Sequence, residues 1–177
     1  MDINLLVNIT SRTWSLKILA LLHSGVPGRQ AQLLAATNAS RTSFTTSLYH
    51  LVKLGLLEKN PGHGHPLRPE YRLTQEGVLV AKTASKIISS VTKSDELLLI
   101  RRTWTVPVLA LTATPQRFSE IKTRLTPITD LALSKSLLLL EEQHWLSRDI
   151  EMSRRTPYPI YRAINTGQEI NQAIVNR

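Results

Sequence analysis

The residues with the greatest chemical reach lie in one short stretch. Arg41, Thr42, Ser43, Thr46, Tyr49, His50 and Lys53 follow one another with no acidic residue between positions 38 and 57. At 100° per residue, with Phe44 and Leu48 turned inward, these seven share the outer face of a helix. Their chemistry is contact, not bond making. An arginine can hold a guanine edge bidentately, hydroxyls reach base edges or phosphates, and a lysine neutralises phosphate. Free amides at the helix start, near Ser40 and Arg41, add an anion-attracting end. Elsewhere the chemical signals are thin. His63-Gly64-His65 lacks a third ligand nearby and reads as a solvated loop, so no metal is expected. Gly62 and Gly64 precede Pro66 rather than a helix, which is not a phosphate-binding loop. Glu141-Glu142 has no partner for acid–base work. Cysteine is absent, which excludes disulfides, thiolate metal sites and cysteine nucleophiles. The expectation is a chain with no catalytic residues and no cofactor.

Those side chains need elements to hold them. The chain has 177 residues, 42% of them hydrophobic, enough for one ordinary domain or two small ones. A net charge of +9 favours a polyanionic partner. No apolar run approaches the ~18 residues of a membrane span. The start, Met1-Asp2-Ile3-Asn4, lacks the basic stretch of a secretory signal. The expected setting is cytoplasmic and nucleoid-associated, with no membrane partner.

An internal repeat organises the rest. Arg12-Thr13-Trp14 recurs as Arg102-Thr103-Trp104, and Tyr71-Arg72 as Tyr161-Arg162, both at an offset of 90. Between these anchors the offset slips to 88 and 89, so Arg29 pairs with Arg117, Leu48 with Leu137 and Leu51 with Leu140. The reading is copy one over residues 1–77, a helical linker over 78–100 and copy two over 101–177. In copy one the patterns predict helices near 13–23, 29–36 and 40–54, with Trp14, Ile18, Leu19 and Leu22 inward in the first. Gly55 stops the third. Strands at 56–59 and 70–73 flank a loop rich in Gly and Pro. Copy two repeats this plan, with helices near 103–112, 118–125 and from Thr129 or Asp130 to 143, then a hairpin. Three helices and a two-stranded hairpin make a winged helix-turn-helix. The fold class is therefore mainly α with small β-hairpin wings, as tandem winged helix-turn-helix domains. In the linker, Val80, Ala84, Ile87, Ile88 and Val91 form one apolar stripe. Ile87, Ile88 and Val91 are candidate interface residues, and packing on the chain's own domains is the alternative.

These residues resemble the HxlR-type family of bacterial winged-helix transcriptional regulators. The resemblance is carried by the tryptophan heading the first helix of each copy and by Arg117-Phe118-Ser119-Glu120-Ile121. Leu48-x-x-Leu51-x-x-x-Gly55-Leu56-Leu57 and Pro69-Glu70-Tyr71-Arg72-Leu73-Thr74-x-x-Gly77 carry it too. It covers most of the chain and implies DNA binding. MarR- and PadR-like regulators share the Tyr-x-Leu-Thr-x-x-Gly return. The family normally has one such domain per chain and is dimeric, whereas this chain carries two. Copy two has His144-Trp145 where a helix-ending glycine is usual, and copy one has Arg29-Gln30-Ala31-Gln32 where phenylalanine is usual.

The two copies differ at the face that matters. At an offset of 89 the outer positions Thr42, Ser43, Thr46, Tyr49, His50 and Lys53 become Leu131, Ala132, Lys135, Leu138, Leu139 and Glu142. Only Lys135 keeps a phosphate-compatible side chain. Burying a leucine is worth roughly 1.5–3 kcal/mol, so Leu131, Leu138 and Leu139 are expected at an interface, within the chain, with a second subunit or with another protein. The candidate DNA contacts are Arg41, Thr42, Ser43, Thr46, Tyr49, His50 and Lys53, with Arg29, Lys135 and, on the wings, Arg68, Arg154 and Arg155. The reading is a sequence-specific double-stranded-DNA-binding regulator, a repressor, acting as a homodimer or an internal pseudo-dimer. A winged-helix interaction adaptor and a nonspecific architectural DNA binder are the alternatives.

Overall fold

The computed structural model describes residues 1–60, 69–153 and 156–175. The wing-tip candidates Arg68, Arg154 and Arg155, and the His63/His65 pair, lie outside the described residues. The chain runs α1 (Ile3–Thr10), α2 (Ser15–His23), α3 (Gln30–Thr37), α4 (Arg41–Lys53), β1 (Leu57–Lys59), β2 (Tyr71–Leu73) and α5 (Gln75–Ser89). It continues α6 (Ser94–Ile100), α7 (Thr105–Leu111), β3 (Gln116–Arg117), α8 (Phe118–Arg124), α9 (Asp130–Glu142), β4 (Leu146–Glu151), β5 (Tyr158–Ala163) and α10 (Asn165–Val175). These elements form two compact units, Arg12–Ser89, and Met1–Ser11 with Ser90–Arg177.

In the unit 12–89, local chemistry sets each boundary. Asn38, in the left-handed conformation at φ 58°, ends α3. Ser40 then caps α4 by accepting from the Ser43 amide at 3.3 Å. Gly55 closes α4 at φ 72°, a conformation open to residues without a side chain. Ile18, Leu19, Leu33, Phe44, Leu48 and Leu51 are wholly buried, while Leu22 and Val52 are only partly covered. The strands pair antiparallel, Leu57 opposite Leu73 and Lys59 opposite Tyr71.

Helix α5 explains the glycine of the wing-return motif. The Thr74 hydroxyl donates to the Gly55 carbonyl at 2.7 Å and accepts from the Gly77 amide at 3.0 Å. A Cβ on Gly77 would sit 2.0 Å from the Leu56 carbonyl oxygen, so only glycine lets α5 start this close to β1. From there α5 lies along α2, with Val80, Ala81, Ala84 and Ile87 buried. This corrects part of the interface expectation. Ile87 and Val91 are buried inside the chain and offer nothing to a second molecule, and Ile88 is half-buried. The apolar stripe is spent on the chain's own core.

The second unit repeats the plan with one strand more. Its sheet runs β3-β5-β4, antiparallel throughout. In copy one the counterpart of β3 is a single bridge between Arg29 and Glu70. Gly167 repeats the close approach of Gly77, its Cβ position lying 2.0 Å from the Trp145 carbonyl oxygen. His144 stands where copy one has Gly55, and it takes the same left-handed backbone at φ 55°. Buried Asn171 donates to the carbonyls of Leu109 and Ala110 at 2.9 and 3.2 Å, fixing α10 to the end of α7. Helix α1 belongs here and not with the copy that follows it in sequence. It packs on α7, with Leu6 and Ile9 fully buried, and the Met1 ammonium donates to the Ile174 carbonyl at 3.4 Å.

Candidate nucleic-acid interface

In copy one, helices α3 and α4 form the helix-turn-helix, and α4 is its second helix. Phe44, Ser47, Leu48 and Leu51 face the core. Arg41, Thr42, Ser43, Thr46, Tyr49 and Lys53 are exposed, and His50 is half-buried. The exposed set therefore comprises two cations, three hydroxyl side chains and a phenol, and no acid. Thr46 donates back to the Thr42 carbonyl at 2.9 Å, which holds its hydroxyl against the helix. Arg29 is exposed at the cap of α3, where the bridge to Glu70 ties it to the base of the wing.

One positioning residue was not singled out from the sequence. Ser47 sits on the inner face of α4, accepts from the Trp14 amide at 3.3 Å and donates to the Ser43 carbonyl at 2.9 Å. It pins the middle of α4 to the head of α2. Its signal was a lone hydroxyl at a core position of an otherwise apolar stripe. Tyr71, named from the sequence only as a repeat and wing-return residue, lies near the same helix. Its phenol is buried beneath the face, and burial pushes its pKa up, with the neighbouring Tyr49 phenol adding to the rise. The Tyr71 hydroxyl is buried with no hydrogen-bond partner among the described residues.

Copy two presents a different surface on the same scaffold. Thr129 caps α9, accepting from the Ala132 amide at 3.2 Å. Leu131 is 65% exposed and Leu138 55%, a large apolar exposure for a helix that ends in two glutamates. Lys135 and Glu142 are exposed, Leu139 and Ala132 half-buried. Arg117, the counterpart of Arg29, is taken up locally. Its guanidinium stacks 3.8 Å from the centre of the Tyr158 ring, and Nη2 donates to the Tyr158 hydroxyl at 2.6 Å. Lys122 is likewise paired, with Asp130 at 2.6 Å. Glu151 accepts from the Ser153 amide at 2.9 Å, and that hydrogen bond lowers its pKa. Among the described residues no group of three His, Asp or Glu side chains could hold a metal ion. No single helix among them is long and apolar enough to cross a membrane.

The sequence profile of the HxlR-like helix-turn-helix family matches twice, over residues 9–94 and 99–176. The chain belongs to the HxlR-like helix-turn-helix family. Two tandem matches agree with the repeat and with the tandem winged-helix architecture. A search of curated proteins and a search of solved structures returned no match. As an HxlR-like protein, the chain is a DNA-binding transcription regulator.

Proposed function

We propose that this HxlR-like protein is a sequence-specific repressor that reads double-stranded DNA mainly through α4 of copy one. The observation that carries this is the exposed face of α4. Arg41, Thr42, Ser43, Thr46, Tyr49 and Lys53 are all solvent-facing, and no acidic residue stands among them. In this reading α4 enters the major groove and its side chains meet base edges. Arg29, at the base of the wing, takes an adjacent phosphate. Arg68 of the copy-one wing extends the backbone contact. Repression follows by occlusion of a promoter at the nucleoid.

Copy two contributes backbone contacts through Lys135, Arg154 and Arg155, and a contact surface through Leu131, Leu138 and Leu139. Two exposed leucines on α9, Leu131 and Leu138, with Leu139 half-buried beside them, are the support for that surface. The sequence-specific reading is tested by selecting bound duplexes from a random library with the full chain. An enriched motif is expected, and its symmetry reports the assembly. A palindrome fits a homodimer, and a lopsided site fits an internal pseudo-dimer. Binding without enrichment would replace this reading with a nonspecific architectural one, and no binding would leave an adaptor. The contact surface is tested separately with Leu131→Asp and Leu138→Asp. The doubly substituted chain should keep its melting temperature and change its oligomeric state or partner capture. No change in either removes the surface.

A further inference from the structure

Copy two contains a cleft of about 240 Å³ between α9 and the wing strands. Phe118, Leu137, Leu138 and Tyr161 give it apolar walls, and Glu141 and Arg148 stand on its rim. The repeat accounts for the opening. At an offset of 89, Leu138 replaces Tyr49, Glu141 replaces Val52 and Arg148 replaces Lys59. At an offset of 90, Tyr161 replaces Tyr71. In copy one the Tyr49 phenol lies beside that of Tyr71. In copy two a leucine stands there, the second phenol is missing, and the cleft reaches the buried Tyr161.

The polar groups are arranged around that space. Arg148 is directly opposite Tyr161 across β4 and β5, so both side chains leave the same face of the sheet. Glu141 lies one turn beyond Leu137 and Leu138 on α9, at i+4 and i+3, and all three line the cleft. Neither Glu141 nor Arg148 forms an ion pair among the described residues. A charge of each sign therefore faces one apolar hollow. An apolar cavity of about 150 Å³ holds a benzene ring, so this cleft has room for a ring and a few polar atoms.

We propose that the cleft binds a small aromatic zwitterion of the aromatic amino acid class. The ring takes the place of the missing phenol, against Tyr161 and Phe118. Its carboxylate meets the Arg148 guanidinium, and its ammonium meets the Glu141 carboxylate. The bound molecule bridges α9 to β4, which couples the position of the wing to ligand in copy two. This proposal rests on copy two alone, stands whether or not copy one reads DNA, and assigns Leu138 to the cleft wall, which leaves Leu131 as the exposed leucine of the contact surface.

The test is calorimetric titration of the full chain with four probes: L-phenylalanine, L-tyrosine, 3-phenylpropionate and phenethylamine. The two amino acids should bind saturably. The probes lacking the ammonium or the carboxylate should bind about tenfold more weakly or worse, the usual worth of one hydrogen bond to a charged group. Leu138→Tyr restores the residue type of copy one and should abolish binding with the melting temperature unchanged. Arg148→Gln should weaken the amino acids and 3-phenylpropionate but leave phenethylamine unaffected. Glu141→Gln should weaken the amino acids and phenethylamine but not 3-phenylpropionate. No saturable binding by any probe overturns the proposal. So does binding that is equal for all four, or that survives Leu138→Tyr.

Discussion

His144 holds a backbone conformation that copy one assigns to glycine. At φ 55° its Cβ crowds the following carbonyl, a strain of roughly 1–2 kcal/mol that Gly55 does not carry. His144→Gly releases the strain but adds chain entropy to the unfolded state. The expected net is a gain of about 1 kcal/mol, read as a higher urea midpoint at unchanged slope. A lower midpoint would mean that the imidazole makes a contact worth more than the strain. Tyr71 makes a pH-dependent prediction. Its folded pKa is raised above the ordinary 10.0, so folding favours the neutral phenol. Its stabilising effect is complete below pH 10.0 and is lost as pH rises through the folded value. Tyr71→Phe should flatten the alkaline limb of the stability–pH curve and change little at neutral pH, because the hydroxyl is unpartnered. An unchanged alkaline limb would locate the titrating group elsewhere.

At the scale of elements, α4 and α9 are the same helix put to different use. Both are thirteen residues long, both start at a hydroxyl cap, and both bury the same three positions, Phe44, Leu48 and Leu51 against Leu133, Leu137 and Leu140. Their outer faces were legible in the sequence because a 3.6-residue period fixes which positions point outward once the buried stripe is known. Substituting Arg41→Ala and Lys53→Ala together should reduce the slope of log affinity against log salt by about two phosphate contacts. The slope of the wild-type chain would persist in the variant if α4 does not meet phosphate. Helix α5 was less legible. Its apolar stripe was plain, but what covered the stripe was not, because amphipathic spacing says that a face is buried and not by what. The answer lay in Gly77, whose missing side chain lets α5 start against β1 and run along α2.

At the scale of the whole molecule, the chain order and the packing order disagree at one end. Helix α1 precedes copy one but is part of the unit that contains copy two. At offset 90, α1 and α6 are repeat equivalents, and both belong to that unit. Removing residues 1–11 uncovers the surface on which Leu6 and Ile9 are buried, a loss on the order of 3–6 kcal/mol at the usual worth of a buried aliphatic side chain. Amides of α7 and α10 should then lose hydrogen-exchange protection while those of α2 and α4 keep theirs. Protection lost in α2 and α4 instead would place α1 with copy one.

Helices α1 and α10 went unread, but sequence alone was enough for the repeat, the tandem winged-helix plan, the bounds of the three helices in each copy to within a few residues and most of the outward positions of each recognition helix. All of these follow from local rules: periodicity along one helix, caps, and glycine and proline in turns. The tertiary structure decided which partner covers each apolar face. Ile87 and Val91 went into the core, α1 went to the unit holding the distant copy, and Ser47 became a brace between α4 and α2. It also decided that Leu138, in the place of Tyr49, leaves a hollow. Each of these depends on groups far apart in the chain meeting in space, and hydrophobic burial is non-directional, so an apolar residue specifies that it will be covered and leaves the choice of cover to the fold.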